Sequence, residues 1–459
     1  MRYLRLGAVL VYSLLIVHSL LFIVFADEGI SKAEAAKQKP ATGKKAFFAE
    51  LKDKVKITGS LYEYFIYQKN VYFNRDKKDS FLETTARVGA KVSPFENLDF
   101  DFGLIGEQVA GDANEYTILK NHDLITKLEF ANFTAKKLFD LPLDIIVGRQ
   151  NIEFGDGLLI YDFYSDKGAV WTGSMRSLYA FRAIANPNPE LTIDVFSGQV
   201  DKSFLSYETY LKDLTTYRGI RNVSGANVHY DAKKLGLWDF GLFYKYDKSL
   251  LKSNTLAASI RSSYNVPFLT PLTLEGELVP EWGTTKAKDG ALSDTKQRRR
   301  AVGGHLDVIY SFKEKLFSPY LKAGYCYFPG DNPNTKRNEA FDPMFYGFRD
   351  WGKWFIGSIN GFNLFHTNQR TAFFEAGMSP TKATLLRLMY YDLSLDRENN
   401  ADSGKRFSRE VNLIFDWFPN DYFFCGAEFG YAHPLKAGRA YAGSDDNVME
   451  VVSWIGLKF

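Results

Sequence analysis

Two cysteines, Cys326 and Cys425, stand in a chain of 459 residues. Two distant thiols build neither a disulfide framework nor the paired spacing of a structural metal site, so both read as unpaired packing residues. Fixed charge nearly cancels, 57 Lys and Arg against 54 Asp and Glu, a net +3. That balance gives no reason to expect a nucleic-acid partner. Beyond the first 26 residues no apolar run is long enough for a membrane helix. Gly155-Asp156-Gly157 is not followed by the Gly-Lys-Ser/Thr of a phosphate loop, and the six histidines form no nucleophile-triad pattern. Nothing here asks for a catalytic group, a metal or a cofactor.

What the chain does have is aromatic residues, 16% of the total, alongside 24% charged residues. A chain rich in both must keep the two kinds of side chain apart. The start, MRYLRLGAVLVYSLLIVHSLLFIVFADEG, has Arg2 and Arg5 before an apolar run and Ala26 before two acids. It reads as a secretory signal over residues 1–26, with an uncleaved anchor as the other reading. Residues 27–54 read as a polar periplasmic tether, and 55–459 as one domain.

From Val55 onward hydrophobicity alternates with period two. In FLETTARVGAKV, Leu82, Ala86, Val88, Ala90 and Val92 share one face, while Glu83, Thr85, Arg87 and Lys91 share the other. The connections alternate as well. Short ones such as SPFEN, NPNPE, DAKKLG and SPTK, marked by Pro and Gly, take turns with long ones such as 154–177, 201–218, 283–300, 329–369, 394–408 and 432–448. Sorting by length predicts an all-β transmembrane antiparallel barrel of 18 strands, with short periplasmic turns and long extracellular loops, in the outer membrane of a Gram-negative cell. The stretch 354–378 could hide a further strand or a folded loop.

In hydrocarbon a sheet edge finds no water, so the last strand must close on the first. Met449, Val451, Ile455, Leu457 and Phe459 share one parity and are expected to face lipid. Phe459 is read as the signal for the barrel-assembly machinery. Trp238, Phe240, Leu242, Tyr244 and Tyr246 read as an aromatic girdle. Alternating charges must then point inward. By parity the bore carries Arg87, Lys127, Arg182, Arg221, His229, Lys245, Arg261, Lys322 and Arg387. Its acids include Glu83, Asp99, Glu129, Asp194, Asp239, Glu275, Glu277, Asp307, Glu375, Asp416 and Glu428. These charges form either a salt-bridge lattice that stiffens the wall or an arginine track for a polyanion.

Two segments resemble the bacterial alginate export outer-membrane family. They are VGRQNIEFGDGLLI, 147–160, and PGDNPNTKRNEAFDPMF, 329–345. The resemblance implies an 18-stranded monomeric barrel passing an anionic polysaccharide. It implies an arginine-lined constriction with Arg149 among the pore-lining residues, and a role for the turn Gly155, Asp156 and Gly157. It also implies a long loop shaped by Gly330, Asp331, Asn332, Pro333, Phe341, Asp342 and Pro343. Arg149 shares the parity of the lipid-facing Ile145 and Val147, so it lies at the rim or follows a bulge near Gly148. The reading taken is passive export of an anionic polysaccharide, with periplasmic partners as a further expectation. The alternative is a porin-like uptake channel for small anions or other solutes. The rivals set aside are a barrel enzyme, for which no catalytic cluster stands out, and a plugged structural or adhesion barrel. Lipid and lipopolysaccharide are the expected surroundings.

Overall fold

The computed structural model describes residues 54–112, 125–160, 177–200, 221–247, 252–269, 271–288, 291–312, 316–344, 367–398 and 403–459. The expected signal and tether, 1–53, lie outside them.

The strands are β1 (Val55–Lys69), β2 (Lys78–Phe95), β3 (Leu98–Asp112), β4 (Ile125–Ala135), β5 (Leu143–Gln150), β6 (Leu178–Asn188), β7 (Leu191–Val200), β8 (Arg221–Asp231), β9 (Gly236–Asp247), β10 (Asn254–Asn265), β11 (Leu272–Lys288), β12 (Ala291–Ser311), β13 (Tyr320–Phe328), β14 (Arg337–Asn338), β15 (Gln369–Met378), β16 (Thr384–Leu395), β17 (Arg406–Trp417), β18 (Phe423–Pro434) and β19 (Val448–Lys458). A seven-residue helix, α1, covers Lys436–Ala442. Apart from the two-residue β14, each strand is antiparallel to its neighbours, which makes a closed 18-stranded barrel. β14 lies parallel to Arg298 and Arg299 of β12.

Closure rests on ten partners from Ser60↔Lys458 to Lys69↔Met449. The Phe459 amide donates to the Gly59 carbonyl (3.0 Å), and Gly59 returns a bond to Phe459 (2.9 Å). The Phe459 ring lies over Gly59, where any Cβ would collide with it. A glycine in a strand costs entropy and packing, and here a neighbouring aromatic covers it.

The alternation of hydrophobicity becomes an inside and an outside. Along β9, Phe240, Leu242, Tyr244 and Tyr246 are exposed and the residues between them are buried. Phe102, Leu278, Leu306, Leu413 and Val451 continue the exposed apolar band on other strands. A closed sheet with a greasy exterior satisfies every ladder hydrogen bond internally, so the chain spans a bilayer by strands. This is the architecture of the bacterial outer-membrane barrels.

One segment departs from the sequence reading. Of the stretch 283–300, read as a loop, residues 283–288 continue β11 and 291–300 belong to β12, paired with Gly283↔Arg299 and Thr285↔Gln297 in register. Its polarity misleads because a hairpin standing clear of hydrocarbon needs no apolar face. Most of the ambiguous stretch 354–378 lies outside the described residues; its last part forms β15.

Candidate functional site: loops docked on the lumen wall

Four neighbouring strands, β9 to β12, carry two rows of inward-facing side chains. One row runs Asp239, Arg261, Glu277, His305, each paired in register with the next. The other runs Lys245, Thr255, Gly283, Arg299. Six residues separate the rows on every strand, about 20 Å along the wall at the strand rise. A chain segment from a long connection docks on each row.

The segment after β5 docks on the first row. Phe154 sits 5.4 Å, centroid to centroid, from both Phe196 of β7 and Phe243 of β9. The chain then turns, with the Gly157 amide donating to the Phe154 carbonyl (3.0 Å) and the Phe154 amide to the Ile160 carbonyl (3.1 Å). Gly155 and Gly157 adopt φ of 59° and 77°, the left-handed region that glycine enters at no steric cost. Asp156 stands between them. Its Oδ1 accepts from Arg261 Nε (2.7 Å), and its Oδ2 lies 3.1 Å from His305 Nε2. Arg261 NH1 also reaches Asp239 (3.0 Å), and Ser259 donates to Glu277 Oε1 (2.6 Å). Burial alone would raise the Asp156 carboxyl. The bond to His305 and the Arg261 charge outweigh it and hold the group at about 2.

The segment after β13 docks on the second row. Gly330 donates to Asp396 (3.0 Å), Glu339 to Asp331 (2.9 Å) and Asn334 to the Asn332 side chain (3.1 Å). Gly330 to Pro333 therefore shape the turn. Phe341 packs on Phe328 at 5.1 Å and lies over Gly303, where a Cβ would strike its ring. Asp342 accepts from Lys245 Nζ (2.5 Å), Thr255 Oγ1 (2.6 Å) and Arg299, and its own amide donates to Glu281 (2.9 Å). Lys245 and Arg299 pull the Asp342 carboxyl well below the ordinary range against its burial. Pro343 follows, buried with it.

The other residues nominated by parity fall as follows. Arg182 grips Asp194 through Nε and NH2, at 2.9 and 2.5 Å to Oδ2. Arg87 meets Glu129 at 3.4 Å, His229 meets Asp239 at 2.8 Å, and Arg387 meets Asp416 at 2.7 Å. Glu275 accepts from Ser263 at 3.1 Å and stands 3.9 Å from Lys322. Lys127 and Arg221 lie on β4 and β8, and their side chains fall outside the described residues.

Arg149 does not line the bore. It pairs with the half-exposed Tyr179, stacks on that ring at 5.0 Å and donates to its hydroxyl (2.9 Å). It therefore keeps the outward parity of Val147, at the long-loop end of β5. The bulge lies one strand away. The β3–β4 register skips Glu129, which aims its carboxylate at Arg87 inside and leaves its carbonyl for Arg149 Nε (3.2 Å) and Ser177 (2.6 Å).

Sequence spacing offers no metal site, yet the fold gathers Asp156, Glu277 and His305, all buried, with one donor atom from each within 4.8 Å of the others. Phe196, Phe243 and His305 carry no motif in the sequence. Their signal is inward parity on neighbouring strands, visible only once the register is known.

No family model matches the chain, and no curated protein matches it. Solved structures do. Pseudomonas aeruginosa OpdK with vanillate superposes with a TM-score of 0.57 at 10% identity, over 89% of this chain and 99% of that one. Acinetobacter baumannii OccAB4 gives 0.57 at 9%, over 88% and 98%. Pseudomonas aeruginosa OccK2 (OpdF) gives 0.56 at 11%, over 89% and 98%. At such identities the likeness is one of fold. The structures carrying it are outer-membrane porins, and none of these three is an alginate exporter.

Proposed function

We propose that the chain is a porin-like outer-membrane channel that admits small hydrophilic solutes passively, with selectivity set by a narrowed, charge-paired bore. The observation that carries this reading is the double docking on β9–β12. Barrels of 16–18 strands enclose a water-filled channel, and chain laid against the inside of the wall takes up part of it. Fixed side chains replace some of a solute's hydration, and opposed charges keep each site weak enough for release. Vanillate in the OpdK structure is a small carboxylate, and a solute of that size suits a bore narrowed in this way.

An alginate-like polysaccharide is the other reading, suggested by the resemblance of 147–160 and 329–345. Here Asp156 and Asp342 of those segments are engaged with the wall. The reading also carries a monomer in lipid and lipopolysaccharide, assembled through Phe459.

The test is conductance in planar bilayers together with solute entry into liposomes. Small carboxylates and sugars should enter readily, and oligouronates should neither pass nor block at millimolar concentration. Tight block by oligouronate would turn the assignment back to polysaccharide export. Absence of any conductance would reject a channel of either kind.

A further inference from the structure

We propose that Asp156, Glu277 and His305 form a binding site for one divalent transition-metal ion, zinc being the best match, which fastens the segment after β5 to the barrel wall. The three groups come from that segment, from β11 and from β12. Asp156 Oδ2 and His305 Nε2 already lie 3.1 Å apart, and the Asp156 amide stands 3.5 Å from Glu277 Oε2. One donor atom from each group fits within a 4.8 Å span. Around tetrahedral zinc, ligand atoms stand roughly 3.4 Å apart. The side chains therefore need to draw in by little more than an ångström.

The surroundings are those of a supported ligand set. Metal-binding side chains are normally oriented by outer partners that hold their second polar atom. Each of the three has one. Asp156 Oδ1 is held by Arg261, Glu277 Oε1 by Ser259, and His305 Nδ1 faces Asp307 at 3.5 Å. Asp307 is in turn fixed by Lys322 at 3.2 Å. Asp156 Oδ2 and His305 Nε2 face each other, and one carboxylate oxygen of Glu277 completes the set within the 4.8 Å span. The ligand chemistry, one imidazole and two carboxylates, is that of zinc sites with an open fourth position. On binding, His305 gives up any proton on Nε2 to water and the ion takes its place.

The proposal concerns the fastening of a loop and stands whether or not the solute reading above is right. The test uses the full chain folded in detergent, stripped with chelator, dialysed and titrated with zinc chloride. Metal content and calorimetry should give one zinc per chain, with a raised thermal midpoint. Glu277→Gln keeps the size of the side chain and should abolish that stoichiometric zinc, as should His305→Ala. Asp307→Asn should weaken it about 10–100-fold by loosening the imidazole. His433→Ala, at an exposed histidine bonded to Asn447, should leave it unchanged. No zinc above background in the stripped parent chain, or one zinc per chain retained in folded Glu277→Gln, overturns the proposal.

Discussion

Along β9–β12, Asp156, Asp239, Asp307 and Asp342 each stand within 3.5 Å of an Arg, Lys or His. Along β17–β19 the inward acids Glu410, Glu428 and Glu450 cluster on adjacent strands, and Asn412 lies in the same row as Glu450. Both Glu450 oxygens lack a hydrogen-bond partner among the described residues. Both faces are inward and buried, yet they handle charge differently. Where chain from a long connection must be held against the wall, acids and bases alternate across the strands. A buried pair is costly to break because removal of one member strands the other. Among the described residues Glu450 has no such latch to lose, so substitution there should be tolerated.

The largest expected effect is at Asp342. Asp342→Ala leaves Lys245 and Arg299 facing each other without their shared anion, a loss of about 3–5 kcal/mol by analogy with other broken buried pairs. Urea unfolding in detergent should show it. In bilayers the same variant should conduct more, with a noisier open level.

Acid should act on the same latch. The Asp342 carboxyl is depressed in the folded barrel, so it stabilises docking at any pH above the ordinary carboxylate range. That contribution fades as pH falls from about 4 downward, because the unfolded group takes up its proton first. Parent conductance should therefore hold steady down to about pH 4 and rise below it, and Asp342→Ala should show little further change. A parent channel that tightens in acid would contradict the assignment.

Smaller is the effect of filling the seat under Phe341. Gly303→Leu places a side chain where that ring lies, at a cost of roughly 1–3 kcal/mol for overpacking. Limited proteolysis should then cut within 329–344 faster than in the parent. Smallest of all, Glu450→Gln on the acidic face should leave the thermal midpoint unchanged or slightly raised, since it replaces a buried carboxyl that no described residue hydrogen-bonds. If Glu450→Gln destabilised the barrel as much as Asp342→Ala does, the contrast between the two faces would fail.

The barrel is legible in the sequence because its physics is local. A strand that meets lipid on one face and water on the other must alternate, and Tyr244-Lys245-Tyr246-Asp247 does so whatever its neighbours are. Short turns and long loops also sort along the chain without knowledge of pairing. The extended hairpin at 283–300 escapes such a reading because it carries no such burden: outside hydrocarbon, polar residues form a strand as readily as a loop. Arg149 does not belong among the bore residues because it keeps the outward parity of Ile145 and Val147: the bulge is at Glu129 on the neighbouring strand and leaves β5 in phase.

The motif segments show the same limit. Gly155-Asp156-Gly157 and Phe341-Asp342-Pro343 stand out as patterns, but nothing in their spacing says that both dock on one wall. By itself the sequence determined most of the strands, their inward and outward faces and the need for the last strand to close on the first, since each follows from period-two burial and the cost of an unpaired edge. Only the tertiary structure decided which charges meet. Asp156 is 105 residues from Arg261 and 149 from His305, and Asp342 is 97 from Lys245. Coulomb attraction depends on distance in space, which barrel closure sets and residue order does not.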